Sequence, residues 1–251
     1  MLELFPIAAM AINSAAFAVE FAVSRWLVRD QAHSFIDSLT ATVLGIGWAI
    51  SGAIRGLILG VVFVAAYRAS PFAWDIANPW TLVAAVIVVD FFYYWSHRVS
   101  HTLPLWWSLH ALHHSSTKFN LSLGMRNSWI SGWMDWIFVL PAPLLGFHPV
   151  LVAAAVAIMQ VWDFFCHAHY VGKLPGIDAI FNSPSNHRVH HSVAAAHRLC
   201  NLGGMLIIWD RLFGTYIPQT GRIFYGVDPP PPRPYDPIAL QYYRGERGRR
   251  G

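Results

Sequence analysis

The sequence predicts an all-α integral membrane protein of about four to five transmembrane helices, capped by a cytoplasmic helical region carrying clustered histidines. Composition is the first observation: 55% of the 251 residues are hydrophobic and only 12% charged, and the mean hydropathy is +0.42. Those values do not describe a soluble globule. Second, charged residues nearly vanish from Ile7 to Phe17, Leu39 to Ile54, Pro79 to Val89 and Pro149 to Val161. Adjoining residues extend these tracts toward the roughly 20 needed to cross a bilayer. Third, eight of the thirteen histidines fall into three tight clusters, all at one predicted membrane face.

Residues 5–28 read as a retained first span, because Met1-Leu-Glu-Leu lacks the basic start of a signal peptide and Glu20 interrupts the apolar run. Arg25 and Arg29 at its end suit a cytoplasmic interface. Leu39 to Tyr67 is long for one helix and carries Arg55 near its middle, so it reads either as a tilted span or as a hairpin turning around residues 51–56. Trp80 to His101 is one helical pattern, with an aromatic belt at Phe91, Phe92, Tyr93, Tyr94 and Trp95 ahead of the first histidine pair. Aromatic belts mark the membrane interface, so His97 and His101 should lie just outside the hydrocarbon.

Pro104 separates that helix from a short one over about Leu105–Ser115. Trp129–Gly146 and Val150–His169 read as two further spans, broken by Pro141, Pro143 and Pro149, the second delivering Asp163, His167 and His169 to the histidine face. Beyond Pro175 the composition turns polar, as befits a cap. The division expected is N-terminal membrane helices over 1–79, a catalytic region over 80–228, and a Pro-rich, basic tail over 229–251 that starts at the Pro229–Pro232 run.

Composition also excludes functions. Cys166 and Cys200 are too few for an iron–sulfur cluster or a disulfide framework. The net charge of +4 lies partly in the tail from Arg244, which suits anionic lipid headgroups better than nucleic acid. No GxGxxG follows a strand and no phosphate loop occurs, so electrons for any redox chemistry must come from a separate donor.

The clusters are His97-x3-His101, His110-x2-His113-His114 and His187-x2-His190-His191. On a helix, residues four apart share a face, whereas sequence neighbours diverge by about 100°. Each triplet can therefore send one arm to one ion and its neighbour to another. One such cluster is readily coincidence; three at one face are not. His167 is a ninth candidate ligand, His169 a second one, and Asp163 a candidate ligand or supporting acceptor. His33, His148 and His197 lack histidine neighbours at ligand spacing. An all-imidazole set excludes calcium and magnesium but leaves iron, zinc, copper and nickel. A two-ion centre is the natural count, and a zinc-dependent membrane hydrolase stays open. A metal transporter would instead line its path with intramembrane polar groups, and a haem carrier would pair histidines across spans.

The three boxes, with Asp90-Phe-Phe-Tyr-Tyr-Trp-Ser96, the run from His113 to Asn120, the segment Asn182–His191 and Trp209-Asp-Arg-Leu-Phe-Gly-Thr215, resemble the fatty acid hydroxylase and sterol desaturase superfamily from about residue 80 to 216. The resemblance implies a multi-pass membrane oxidase with a di-iron centre on the cytoplasmic side. Such an enzyme uses O2 and electrons from a ferredoxin or cytochrome b5 type donor to hydroxylate, or desaturate, a membrane lipid. It implies His97, His101, His110, His113, His114, His167, His187, His190 and His191 as ligands of two Fe ions, with zinc a substitute in purified samples. His169 stands where members often have Asn, and Ser192–Cys200 is more apolar than the pattern. The HHSSxxxN run followed by Arg126 is similar to the alkylglycerol monooxygenase-like branch. Asn120 and Arg126 are thus candidates for contacting a polar headgroup or supporting the ligands, beside their plainer readings as a helix cap and a snorkelling arginine.

Overall fold

Where the apolar tracts run unbroken, the backbone has no partner but itself, and helix is the outcome. The structure is a computed structural model that describes residues 5–245; the basic run from 246 onward, expected at a lipid surface, lies outside the described residues. Eleven α-helices occur among them: α1 Phe5–Ala22, α2 Phe35–Ala69, α3 Pro79–Thr102, α4 Pro104–His110, α5 Ser131–Val139, α6 Pro141–Leu144, α7 Pro149–Cys166, α8 Ile177–Ile180, α9 Pro184–His190, α10 Ile208–Leu212 and α11 Pro237–Gln241. The only pairing of extended backbone among the described residues is two isolated bridges, Phe181 with Leu206 and Ser192 with Tyr225. The protein is all-α.

Proline and a capping side chain set several helix starts. Asn78 accepts from the amide of Trp80 at 3.0 Å ahead of Pro79, and Ser183 caps α9 ahead of Pro184. Among the described residues α2, α3 and α7 are long and apolar enough to cross a membrane. The hairpin allowed for residues 39–67 does not form, because glycine is tolerated in a membrane helix; α2 runs 35 residues without a break. The span expected over Trp129–Gly146 divides instead into α5 and α6, nine and four residues, since Pro141 starts a new helix.

α3 and α7 pack through small and branched residues: Ala85 and Val89 meet Leu151, Val152, Ala155 and Met159. Small side chains let membrane helices approach closely. α1 closes on the far side of α7, where Ala16 and Phe17 pack near Leu121, Phe164 and Ala168. The first turns of α2 are buried in the cap, from Asp37 to Leu44, whereas its long apolar remainder faces outward.

The chain beyond Pro229, expected as a tail, folds back onto the cap. Asp236 caps α11 with its carboxylate on two amides, Leu240 is buried beside Leu44 and Leu112, and Gln241 Oε1 accepts from Ser128 Oγ and the Trp129 amide. Proline stiffens such a run without preventing it from packing.

Candidate metal centre

Nine histidines converge under the cap, in two adjoining groups. His97, His101, His110, His114 and His190 form one; His113, His167, His187 and His191 form the other. Within each group one ring nitrogen per residue lies within 4.8 Å of all the others. Local geometry explains the division, by α-helical periodicity at 97/101 and 187/191 and, at 110–114, by the turn and 3-10 segment that follow α4. The i,i+4 pairs 97/101, 110/114 and 187/191 each stay in one group, while His113 and His190 turn to the opposite group from their immediate neighbours. The groups touch, with the His114 and His191 rings stacked at 4.3 Å between centroids.

Main-chain carbonyls orient four of these rings. Nδ1 of His97 donates to the Leu202 carbonyl at 2.8 Å, His190 to Cys200 at 2.9 Å, His167 to Asp163 at 2.8 Å and His113 to Arg126 at 3.3 Å. A carbonyl only accepts, so the proton must sit on Nδ1 and Nε2 must present a lone pair. Nε2 of His167 then faces Nε2 of His113 at 3.4 Å, two acceptors in a buried site with no proton between them. Nε2 of His190 and both ring nitrogens of His101 are buried without a hydrogen-bond partner. Burial also pushes His110, His113, His114, His187, His190 and His191 well below the usual histidine range, so they stand neutral. Converging, neutral, partly unsatisfied imidazole lone pairs fit a metal cation and little else.

Two buried carboxylates hold the loop that supplies the Leu202 and Cys200 carbonyls. Asp210, fully buried, accepts from the amides of Leu202 and Gly203, both at 2.7 Å, and from Thr215 Oγ1 at 2.6 Å. Asp90 on α3 accepts from the amides of Met205 and Leu206 at 2.6 and 3.0 Å and from Trp209 Nε1 at 2.8 Å. Gly203 is required there, because a Cβ would lie 2.4 Å from the Leu206 carbonyl oxygen. A third carboxylate, Glu20 on α1, takes the amides of Leu121 and His169 and faces His33 Nε2. Ligand spacing assigns none of these supports a role. Their signal in the sequence is a carboxylate inside an apolar or aromatic stretch, tolerated only where donors await it.

The remaining candidates behave differently. His169 lies outside both groups and donates Nδ1 to the Phe119 carbonyl at 2.9 Å. Asp163 acts through its main-chain oxygen rather than its carboxylate. Asn120 caps Leu121–Met125 by accepting from the Ser122 amide, and its Nδ2 donates to Ala32. Arg126 is not a snorkelling residue. It is 1% exposed, ion-paired with Asp37 at 3.1 Å and bonded to Ser115 Oγ and the Pro234 carbonyl. Both residues therefore brace the second box and present no surface to a headgroup. Of the histidines without neighbours, His148 caps α7 and His33 pairs with Glu20.

The model of the fatty acid hydroxylase family matches residues 82–215, which is more than half of the chain and includes all nine converging histidines. The chain is 36% identical over 180 residues to the alkylglycerol monooxygenase of Homo sapiens, covering 70% of this chain and 39% of that one. Against the enzyme of the same name from Xenopus tropicalis it is 33% identical over 208 residues, 82% of this chain and 46% of the other. The ornithine lipid hydroxylase OlsE of Rhizobium tropici is 29% identical over 154 residues, 58% and 44% of the two chains. The chain thus spans less than half the length of these relatives. No solved structure gives a significant match. With its boxes brought together in space and the family model running through them, the chain belongs to the fatty acid hydroxylase family.

Proposed function

We propose that this protein is a membrane-bound di-iron monooxygenase that inserts one oxygen atom of O2 into a C–H bond of a lipid. The observation that carries the reading is the division of nine buried imidazoles into groups of five and four, in a chain of this family. His97, His101, His110, His114 and His190 would hold one iron, and His113, His167, His187 and His191 the other. When bound, the irons supply the redox chemistry that activates O2, with the balance R–H + O2 + 2 e⁻ + 2 H⁺ → R–OH + H2O.

The protein's own part is placement and exclusion. The carbonyls of Leu202, Cys200, Asp163 and Arg126 fix ring orientation and keep each donor nitrogen inward. Burial of all the histidines except the half-buried His110 keeps bulk water from the reacting carbon. α3 and α7 bring the centre to the end of membrane-crossing helices, so a lipid tail reaches it sideways without leaving the bilayer. The names of the relatives, two alkylglycerol monooxygenases and an ornithine lipid hydroxylase, favour a polar-headed lipid as substrate. The basic residues Arg25 and Arg29 favour the cytoplasmic side for the cap. Desaturation of the same lipid class would use the same centre.

Metal analysis of protein made in iron-replete cells tests the reading. About two irons per chain with O2-dependent lipid oxidation is the expected result. Tightly held zinc with O2-independent hydrolysis of a lipid ester would replace it with a zinc hydrolase.

A further inference from the structure

α3 and α7 run side by side toward the cap and carry histidines at their ends, His97 and His101 on one and His167 on the other. In the core they share, α7 contributes Val152, Ala155 and Met159, and α3 contributes Ala85, Val89 and Tyr93. At about 100° per residue, Val152, Met159 and Asp163 fall within about 40° of one another, so Asp163 continues the face of α7 that is turned to α3. Tyr93 and Met159 stand at one level, because a Cβ on Gly204 would come within 2.7 Å of the first and 3.1 Å of the second. Asp163 is one turn nearer the cap than Met159, about 6 Å along the axis, and His167 is one turn beyond it. The Asp163 side chain therefore lies between the two helices, immediately on the membrane side of the second histidine group.

Two polar groups meet this place without being satisfied there. Asp163 is half-buried, and although its main-chain oxygen accepts from His167, its carboxylate has no hydrogen-bond partner among the described residues. Tyr93 is also half-buried, its ring 5.6 Å from that of His97, and its hydroxyl likewise bonds to nothing among the described residues. Of the charged groups around that hydroxyl, Asp163 acts on it most strongly. The supporting carboxylates differ: Asp90 and Asp210 each take three donors. A carboxylate without a donor inside a membrane-crossing helix is costly, and a ligand that brings the donor removes the cost.

We propose that Asp163 and Tyr93 form the subsite for a hydroxyl group of the lipid substrate, the carboxylate accepting its proton and the phenol donating to its oxygen. The proposal deepens the lipid-monooxygenase reading and rests on it. An alcohol both donates and accepts, which matches the pair. An ammonium only donates and would leave the phenol proton unpaired, and a phosphodiester only accepts and would face the carboxylate charge. With the hydroxyl held one turn from His167, the carbon presented to the histidines is set by its distance from that hydroxyl and not by the end of the tail.

The test uses 1-O-hexadecylglycerol and the same lipid with both hydroxyls methylated, with the purified, metal-loaded protein in nanodiscs. The unmutated protein should bind the hydroxylated lipid about tenfold more tightly. Asp163→Leu should remove that preference while affinity for the methylated lipid and metal content stay unchanged. Asp163→Asn, whose amide oxygen still accepts, should keep most of it, and Tyr93→Phe should lose severalfold. No preference in the unmutated protein, or equal loss for both lipids in Asp163→Leu and Tyr93→Phe, overturns the subsite. Loss of metal in Asp163→Leu would overturn it too, by making the carboxylate part of the metal centre. Product analysis separates the two readings. Hydroxyl preference without O2-dependent product would sink the monooxygenase and leave the subsite, whereas O2-dependent oxidation of both lipids at equal KM would do the reverse.

Discussion

The two histidine groups share the second and third boxes, with α3 serving only the first and the end of α7 only the second, and they are held in different ways. In the first, His97 and His190 lean on carbonyls of the 200–202 loop, which Asp210 pins from within the same stretch and Asp90 from 115 residues away. In the second, His167 leans on the carbonyl one turn earlier in its own helix, and His113 on the carbonyl of Arg126, 13 residues further along the chain. The first group thus depends on long-range anchoring and the second largely on local geometry. Perturbing the anchors should separate the groups, whereas perturbing a ligand should not.

The largest expected effect comes from the ligands themselves. His113→Ala should abolish activity and lower metal content, measured by elemental analysis, while His148→Ala leaves both nearly unchanged; equal losses from the two would refute the assignment. Asp210→Asn comes next, because it weakens the loop without touching a histidine. Metal affinity of one site should fall by about 10–100-fold, with about one ion per chain retained; loss of both ions together would show that the groups are not held independently.

Arg126→Met should destabilise the fold by about 3–5 kcal/mol by leaving Asp37 buried without its partner. Thermal unfolding of the metal-free protein in nanodiscs measures this, and a near-neutral result would mean that Asp37 finds water. Acidification gives a graded version. Burial lowers His167 from 6.5 to about 4 and lowers the cap histidines as well. The unfolded chain therefore binds these protons first. Stability of the metal-free protein should be full above pH 6.5 and fall as pH drops from there toward about 4. A flat profile across that window would contradict the buried, neutral state. Smallest is His169→Ala, which removes one contact to Phe119 and should change metal content by less than any ligand substitution.

Much of the centre is legible in the sequence because helix geometry is local. Spacing alone separates 110/114 from 113, and 187/191 from 190, before any tertiary contact is known. The carbonyls of Leu202 and Cys200 carry no such signature, since any residue offers one. Their importance comes from the loop's path, set by Asp90 more than 100 residues earlier. Arg126 illustrates the opposite failure. An arginine near a membrane face reads as exposed until Asp37, Ser115 and Pro234 are found around it. The fold-back of residues 229–245 is likewise hidden, because a proline run stops a helix locally but does not show where the chain goes next.

α2 has a mechanical consequence. At about 1.5 Å per residue its 35 residues make a rod of about 52 Å, against a hydrocarbon core of about 30 Å. Its first turns are clamped in the cap through Asp37, whereas its outward remainder is held by scattered contacts only, Trp133 on Ser51, Phe63 against the α3–α7 core and Tyr67 against His148. The rod therefore acts as a depth gauge. When bilayer thickness changes, the lipid must pucker or the rod must lean, and any lean is levered onto the arginine clamp that braces the second histidine box.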